Sequence, residues 1–282
     1  MTVYRPELPE SREIFENVKR ALSQDIGRGD ATASLIDENK QLQTRVICRD
    51  FAVLCGVEWF NQSFSQLDPG VQIEWHFRDG DSITPDTEVC HISGRARSIL
   101  SAERTALNFL QTLSATASLT RQYVELLAST SARLLDTRKT IPGLRKSQKY
   151  AVLCGGGHNH RQGLYDAILI KENHIEAAGS IMAAVNSASS MHPNLLLEVE
   201  VENIHQLREA VAAGAQRVLL DNFSIKDLTD AVLQFQDKIE LEASGGVQLD
   251  TVKEIADTGV DFISTGDLTK NIRAVDFSMR FK

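Results

Sequence analysis

Six short runs of Leu, Ile, Val and Phe in the second half of the chain leave it few folds to choose from. Each run ends on a polar residue or glycine and is followed by a helical segment. The runs are RLLDT, closing near Asp136, DAILIK at Lys171, LLLEVEV at Glu200, RVLLD at Asp221, IELEAS at Ser244 and DFISTG at Gly266. From Lys171 the ends follow at intervals of 29, 21, 23 and 22 residues, close to one βα unit each. The helices between them read as HQLREAVAAGA, IKDLTDAVLQFQ and LDTVKEIADTG, two of which close on Gly214 and Gly259. Strands alternating with helices predict a parallel sheet. Six units in a region shorter than the ~250 residues of a complete eight-stranded barrel predict an incomplete or distorted α/β barrel.

The first half has a different grammar. Residues 11–24 place Ile14, Phe15, Val18, Ala21 and Leu22 at helical spacing, with Ser11 as N-cap. From 42 to 97 the segments are strand-like, LQTRVICRDFAVLCG, VQIEWHF and EVCHISGRARSIL, separated by turn signals at Asp68-Pro69-Gly70, Asp79-Gly80 and Thr84-Pro85. A long helix is predicted from Ser101 to Leu127, so the first part reads as an α+β domain.

Composition narrows the partners. The 282 residues carry 30 basic and 38 acidic side chains, a formal charge of −8, which argues against general affinity for nucleic acid or an anionic membrane. No apolar run is long enough to span a bilayer, and the N-terminus has no leader-like basic and apolar stretch. Cys48, Cys55, Cys90 and Cys154 form no CxxC pair and read as reduced thiols of a cytoplasmic protein, without zinc.

In α/β barrels the catalytic groups stand at the C-terminal strand ends. Here those ends carry Asp136-Thr137-Arg138-Lys139-Thr140, Lys171, Glu198/Glu200/Glu202, Asp221-Asn222, Ser244-Gly245-Gly246 and Thr265-Gly266. Residues 133–149 hold six basic side chains and one acid, a local positive field suited to a small polyanion. Arg138, Lys139 and Lys171 are read as functional; for Arg145, Lys146 and Lys149 a solvated surface loop is an equal reading. Strand alternation puts Glu198, Glu200 and Glu202 on one face, where buried carboxylates need a counter-ion. Magnesium suits them, and salt bridges to lysines of the same mouth are expected beside it, with Glu200 and Asp221 on the metal side and Glu198 and Glu202 structural. The glycine turns after Ser244 and Thr265 are candidate phosphate nests. Gly155-Gly156-Gly157 is read as a flexible loop presenting His160 and Arg161, with His158 undecided.

These segments together resemble the quinolinate phosphoribosyltransferase family (nicotinate-nucleotide pyrophosphorylase, carboxylating). The resemblance is carried by DIGRGDAT (25–32), SAERTALNFLQTLSATAS (101–118), LLDTRKTIPGLR (134–145), GGGHNHRQGLYDAILIKENHI (155–175), LEVEVEN (197–203), LLDN (219–222), EASGG (242–246) and ISTGDLT (263–269). It implies an N-terminal α/β sandwich domain at 1–113, joined by the tail 271–282, and an open, incomplete barrel at 114–270. It also implies a homodimer in which Arg104 acts in the partner's active site. Arg104, Arg138, His160, Arg161 and Lys171 are then expected to hold the carboxylates of quinolinate. Lys139 and Lys171 are expected to meet phosphoribosyl diphosphate. Glu200 and Asp221 are expected to face the ribose and magnesium, and Ser244, Gly245, Gly246 and Gly266 to cradle the 5′-phosphate. One departure is Thr269-Lys270-Asn271, where family members often read Thr-His-Ser. Two other readings compete: a related transferase for nicotinate, and a barrel lyase using Lys139 or Lys171 as a Schiff-base nucleophile. A non-catalytic phosphate-binding protein is a third.

Overall fold

The computed structural model describes residues 6–281; residues 1–5 and 282, at the extremes of the expected first domain, lie outside the described residues. In chain order the elements are α1 (Ser11–Ile26), β1 (Gln41–Cys48), β2 (Ala52–Val53), α2 (Val57–Ser65), β3 (Gln72–Trp75), β4 (Ser82–Ile83), β5 (Thr87–Arg95) and α3 (Ala96–Leu127). Next come β6 (Arg133–Leu135), α4 (Arg145–Gly155), β7 (Ala167–Ile170), α5 (Glu172–Ala178), α6 (Ile181–Met191), β8 (Leu196–Val201), α7 (Ile204–Ala213) and β9 (Arg217–Asp221). The last are α8 (Ile225–Phe235), β10 (Glu240–Ser244), α9 (Val252–Asp257), β11 (Phe262–Ser264), α10 (Asp267–Lys270) and β12 (Phe277–Phe281). The chain divides into two compact units. The first holds residues up to Arg121, 141–156 and 271 onward; the second holds 122–140 and 157–270. Helix α4 thus belongs to the first unit, although it lies inside the stretch expected to form the barrel.

The first unit is an antiparallel sheet in the order β12-β1-β5-β3 with helices packed on it. The C-terminal strand β12 returns to pair with β1 from Thr44↔Phe281 to Cys48↔Phe277. One core joins Val46, Val89, Cys90 and Ile92 of the sheet to Phe60, Phe64, Ile99, Leu107 and Leu110. A second joins Ile14, Val18 and Leu22 of α1 to Trp59, Phe109, Leu113 and Tyr150. Several sequence expectations change in detail. Glu10, not Ser11, precedes the first helical residue of α1 and makes no side-chain cap bond. Helix α3 begins at Ala96, directly after β5, and runs for 32 residues. Lys149 is no surface-loop lysine: it sits fully buried in α4. The glycine run is not a flexible loop either. A Cβ on Gly155 would lie 2.5 Å from the Ala117 carbonyl oxygen, so glycine is there to let α4 and α3 touch.

The second unit is a parallel six-stranded sheet in the order β6-β11-β10-β9-β8-β7. All six expected runs become strands, and β6 and β7 stand at opposite edges, leaving the sheet open. Helix starts follow capping chemistry: Asn203 accepts the backbone N–H groups of His205 and Gln206 at 3.1 Å ahead of α7, and Ser224 accepts that of Asp227 at 3.2 Å ahead of α8. Gly214 closes α7 at φ 88°, a left-handed position that suits glycine. Among the described residues no helix is long and apolar enough to cross a membrane.

Candidate active site

Five strands of the second unit and the segment that follows β6 line one cavity of about 520 Å³ at the C-terminal end of the sheet. Its lining steps by two along the strands, Leu169 and Lys171, Leu219 and Asp221, Glu242 and Ser244, as expected where one strand face looks inward. Arg138, Lys139, Arg161 and Lys171 supply the cations; Glu200, Asp221 and Glu242 supply the acids. His160, Ser244, Gly245 and Gly246 complete the set of expected residues that the fold brings together.

The basic side is held in place by backbone. Thr137 Oγ1 accepts the Lys139 N–H at 3.0 Å, and Thr269 Oγ1 donates to the Lys139 carbonyl at 2.7 Å. Gly266 does not line the cavity. A Cβ there would lie 2.8 Å from Lys139 Cδ, so its missing side chain makes room for the lysine stem. Residues just past the glycine run are built in as well: His158 bridges to Leu135, its N–H donating to Leu134 at 2.8 Å, which extends the β6 edge. Buried Asp136 then accepts the His160 N–H at 2.9 Å. Arg161 donates Nη1 to the Ala167 carbonyl at 3.2 Å. Burial, and then the like charge of Arg138, hold Arg161 below the usual guanidinium range. Two guanidiniums on one cavity make it locally cationic, and each can meet a carboxylate bidentately.

Lys171 and Glu200 form an ion pair at the cavity wall, so the lysine neutralisation weighed for the glutamates falls on the expected metal-side residue. The three glutamates do not share one face. Glu198 is buried a layer below, Glu200 reaches the cavity, and Glu202 lies past the end of β8, exposed, its N–H capped by Gln206 Oε1 at 2.8 Å. The resemblance put His160 on a substrate carboxylate. In the structure its Nε2 stands 3.0 Å from Glu198 Oε2 and its Nδ1 accepts the Arg161 N–H at 2.7 Å. Glu242, which the sequence reading passed over, lies 3.6 Å from the same Nε2. Burial, then the neighbouring Glu198, pushes Glu242 up to about 8, and burial pushes Glu198 up to about 7 against the pull of Arg217. The signal for Glu242 was its place two residues before Ser244 in a strand whose alternate residues face inward.

On the acidic side, Asn222 donates Nδ2 to Asp221 Oδ2 at 3.0 Å, and its own N–H donates to the Ser244 carbonyl at 2.9 Å. Asn222 is at φ 55°, Gly245 at 93° and Gly246 at 60°, three left-handed residues on two adjacent strand ends. Backbone so turned exposes N–H groups toward an anion. The remaining expected residue, Arg104, is exposed on α3 in the first unit. That unit has a separate cavity of about 410 Å³, lined by Arg20, Asp25, Thr105 and Asn108 among others, which contains none of the expected site residues.

A family model described as the N-terminal domain of quinolinate phosphoribosyl transferase matches residues 30–114, and one described as its C-terminal domain matches residues 116–280. The chain belongs to the quinolinate phosphoribosyl transferase family. It is 40% identical over 257 residues to a probable nicotinate-nucleotide pyrophosphorylase (carboxylating) of Bacillus subtilis, covering 91% of this chain and 89% of that protein. It is 38% identical over 284 residues to the chloroplastic nicotinate-nucleotide pyrophosphorylase (carboxylating) of Arabidopsis thaliana, with coverage of 93% and 81%. The solved nicotinate-nucleotide pyrophosphorylase of Francisella tularensis superposes with a TM-score of 0.94 at 43% identity, over 99% of this chain and all of that one. In this quinolinate phosphoribosyl transferase the cavity falls wholly within the segment matched by the C-terminal family model.

Proposed function

We propose that the cavity of the second unit transfers the phosphoribosyl group of 5-phosphoribosyl 1-diphosphate to quinolinate and then releases carbon dioxide, giving nicotinate mononucleotide and diphosphate. The observation that carries this reading is the cavity itself. Arg138 and Arg161 line it together, close enough for their like charges to interact, with Glu200 and Asp221 in the same lining and left-handed glycines at the end of β10. Paired guanidiniums match a dicarboxylate bidentately, the acids favour a cationic ribose, and the turned backbone takes the 5′-phosphate.

In the reaction the pyridine nitrogen attacks the anomeric carbon while the bond to diphosphate breaks. Lys139 and Lys171 take up the negative charge of the leaving group, and Glu200 and Asp221 stabilise the oxocarbenium-like ribose. Carbon dioxide then leaves from the ring carbon beside the quaternised nitrogen, whose positive charge stabilises the electron pair left on that carbon, and the carbon takes up a proton from water to give the product. His160 positions Arg161 rather than clasping the substrate. Magnesium is the fitting metal: Glu200 and Asp221 are oxygen donors on the wall of a cavity that also holds phosphate-binding backbone, the pattern in which magnesium joins one or two carboxylates to a substrate's phosphates. When bound it neutralises diphosphate charge. The ion pair between Lys171 and Glu200 counts against the Schiff-base reading, which needs a neutral lysine. Arg104, exposed on α3, is assigned to the partner's site in a homodimer, and the four buried free cysteines support a reducing, cytoplasmic setting. The test is diphosphate and carbon dioxide release from the two substrates, with and without magnesium. Turnover of nicotinate in preference to quinolinate, or no diphosphate release, overturns the reading.

A further inference from the structure

We propose that His76, Glu88 and His91, on the sheet of the first unit, form a binding site for a divalent transition metal of the zinc, cobalt and nickel class. No step of the transferase reaction uses these residues.

The site begins with an irregularity in β5. The pairing of β5 with β1 runs Val46↔Cys90 and then Ile47↔Glu88, so Val89 is an extra residue and the strand is bulged. In a regular strand, residues three apart point to opposite faces. The bulge lets Val89 and Cys90 both enter the core, fully buried, and turns Glu88 and His91 to the same outer face. His76 follows β3, whose register places Trp75 opposite Cys90, and its N–H donates to the Val89 carbonyl at 3.0 Å. The backbone of the bulge therefore fixes all three side chains.

Their donor atoms converge. His76 Nε2 lies 3.2 Å from Glu88 Oε1, and His91 Nε2 contacts the same oxygen. The imidazole rings stand edge to face with centroids 5.2 Å apart, and the three donors lie within 4.8 Å of one another. Ligands at about 2.0–2.1 Å from a tetrahedral zinc ion stand about 3.3 Å apart, so small side-chain rotations bring this set onto one ion. Two imidazoles and one carboxylate are the borderline ligands that select such metals, and a fourth position stays open to water. Magnesium, which prefers an all-oxygen shell, is a poor match. The other carboxylate oxygen, Oε2, lies 3.6 Å from Arg45 Nη1, which orients Glu88 from outside the cluster. Of the other charged groups paired with His91 across the sheet, Arg45 opposes a cation and Glu74 favours one. A bound ion would tie the end of β3 to β5 and stabilise the folded state.

The probe is Co2+ or Zn2+ added to the metal-free full-length protein. Equilibrium dialysis should give one ion per chain, Co2+ should show the visible absorption of a low-coordinate site, and Zn2+ should raise the melting temperature. His76→Ala/His91→Ala should weaken binding by at least about 100-fold, beyond the roughly 10–100-fold effect of losing an outer-shell partner. It should also abolish the thermal shift, while magnesium-supported transferase activity stays unchanged. Glu88→Gln, which keeps the side-chain shape, should weaken binding as well. The active-site cluster of His160, Glu198 and Glu242 is the competing location. Binding that survives the double substitution, or no binding by the unaltered protein, overturns the proposal.

Discussion

Replacing Gly245 by alanine separates the two duties assigned to the turn after β10. Gly245 is at φ 93°, and a Cβ there would lie 2.2 Å from Asn222 Oδ1 and 2.9 Å from the Asn222 backbone nitrogen. The amide oxygen can rotate away, but the backbone nitrogen cannot, and it must move by at least about 0.5 Å to reach ordinary contact distance. Left-handed strain adds about 1–2 kcal/mol. Asn222 carries Asp221 with it through the 3.0 Å side-chain bond. A displacement of this kind in a group facing the reacting ribose lowers kcat/KM by up to about 100-fold. Gly246→Ala is the matched control. Gly246 is equally left-handed, at φ 60°, but a Cβ there meets nothing within 4 Å. It should lose similar stability, a few degrees in Tm at about 2–4 °C per kcal/mol, while raising KM for phosphoribosyl diphosphate with less effect on kcat. Steady-state diphosphate release with each substrate varied, alongside thermal melts, reads both variants. Equal kcat in the two variants, or an unaltered kcat/KM in Gly245→Ala, would refute the link from Gly245 through Asn222 to Asp221.

Arg138→Ala, at an exposed position, should keep its Tm and raise KM for quinolinate by about 10–100-fold, the worth of a charge-assisted hydrogen bond; an unchanged KM removes Arg138 from the site. Gly155→Ala should lower stability by about 1–3 kcal/mol in urea unfolding, since its Cβ meets backbone 2.5 Å away on α3. Asp79 is half-buried, accepts the Gly56 and Val57 N–H groups at 3.0 and 3.1 Å, and desolvation pushes it up to about 6 from 3.8. Its folded state favours the proton, so the wild type is penalised as pH rises from 3.8 through about 6, by up to about 3 kcal/mol, with no penalty below 3.8. Asp79→Asn should therefore gain on the wild type as pH rises from about 4 to about 6 and hold that gain above it in urea unfolding, and a pH-independent difference would contradict this. Chelating divalent metal should remove transferase activity and magnesium should restore it, measured by diphosphate release.

What the sequence made legible was periodic or local. Each βα unit shows because a parallel strand is a short apolar run with a polar end, and strand ends in such a sheet share one mouth; that logic brought Arg138, Lys171, Asp221 and Ser244 together correctly. What escaped depends on contacts between segments distant in sequence. Gly155 resembled a flexible loop residue, because its partners Ala117 and Thr120 lie on a helix some 35 residues earlier. For Lys149 a surface loop stands level with a functional role, because nothing beside it in sequence shows that α4 packs into the first unit. Alternation correctly placed Glu198 and Glu200 on one strand face, but it could not place the strand's end, so Glu202 was carried one step too far. Glu242 is hidden for the opposite reason: strand ends are where chemistry is expected in such a sheet, and this buried acid sits two residues below one. His160 links these cases. A histidine after a glycine run invites a substrate-binding role, and in the fold its ring also meets Glu198 and the Arg161 backbone N–H, contacts that no local pattern shows. Residue type and motif locate such a site, but the roles within it are decided by which hydrogen-bonding atoms the fold has already used.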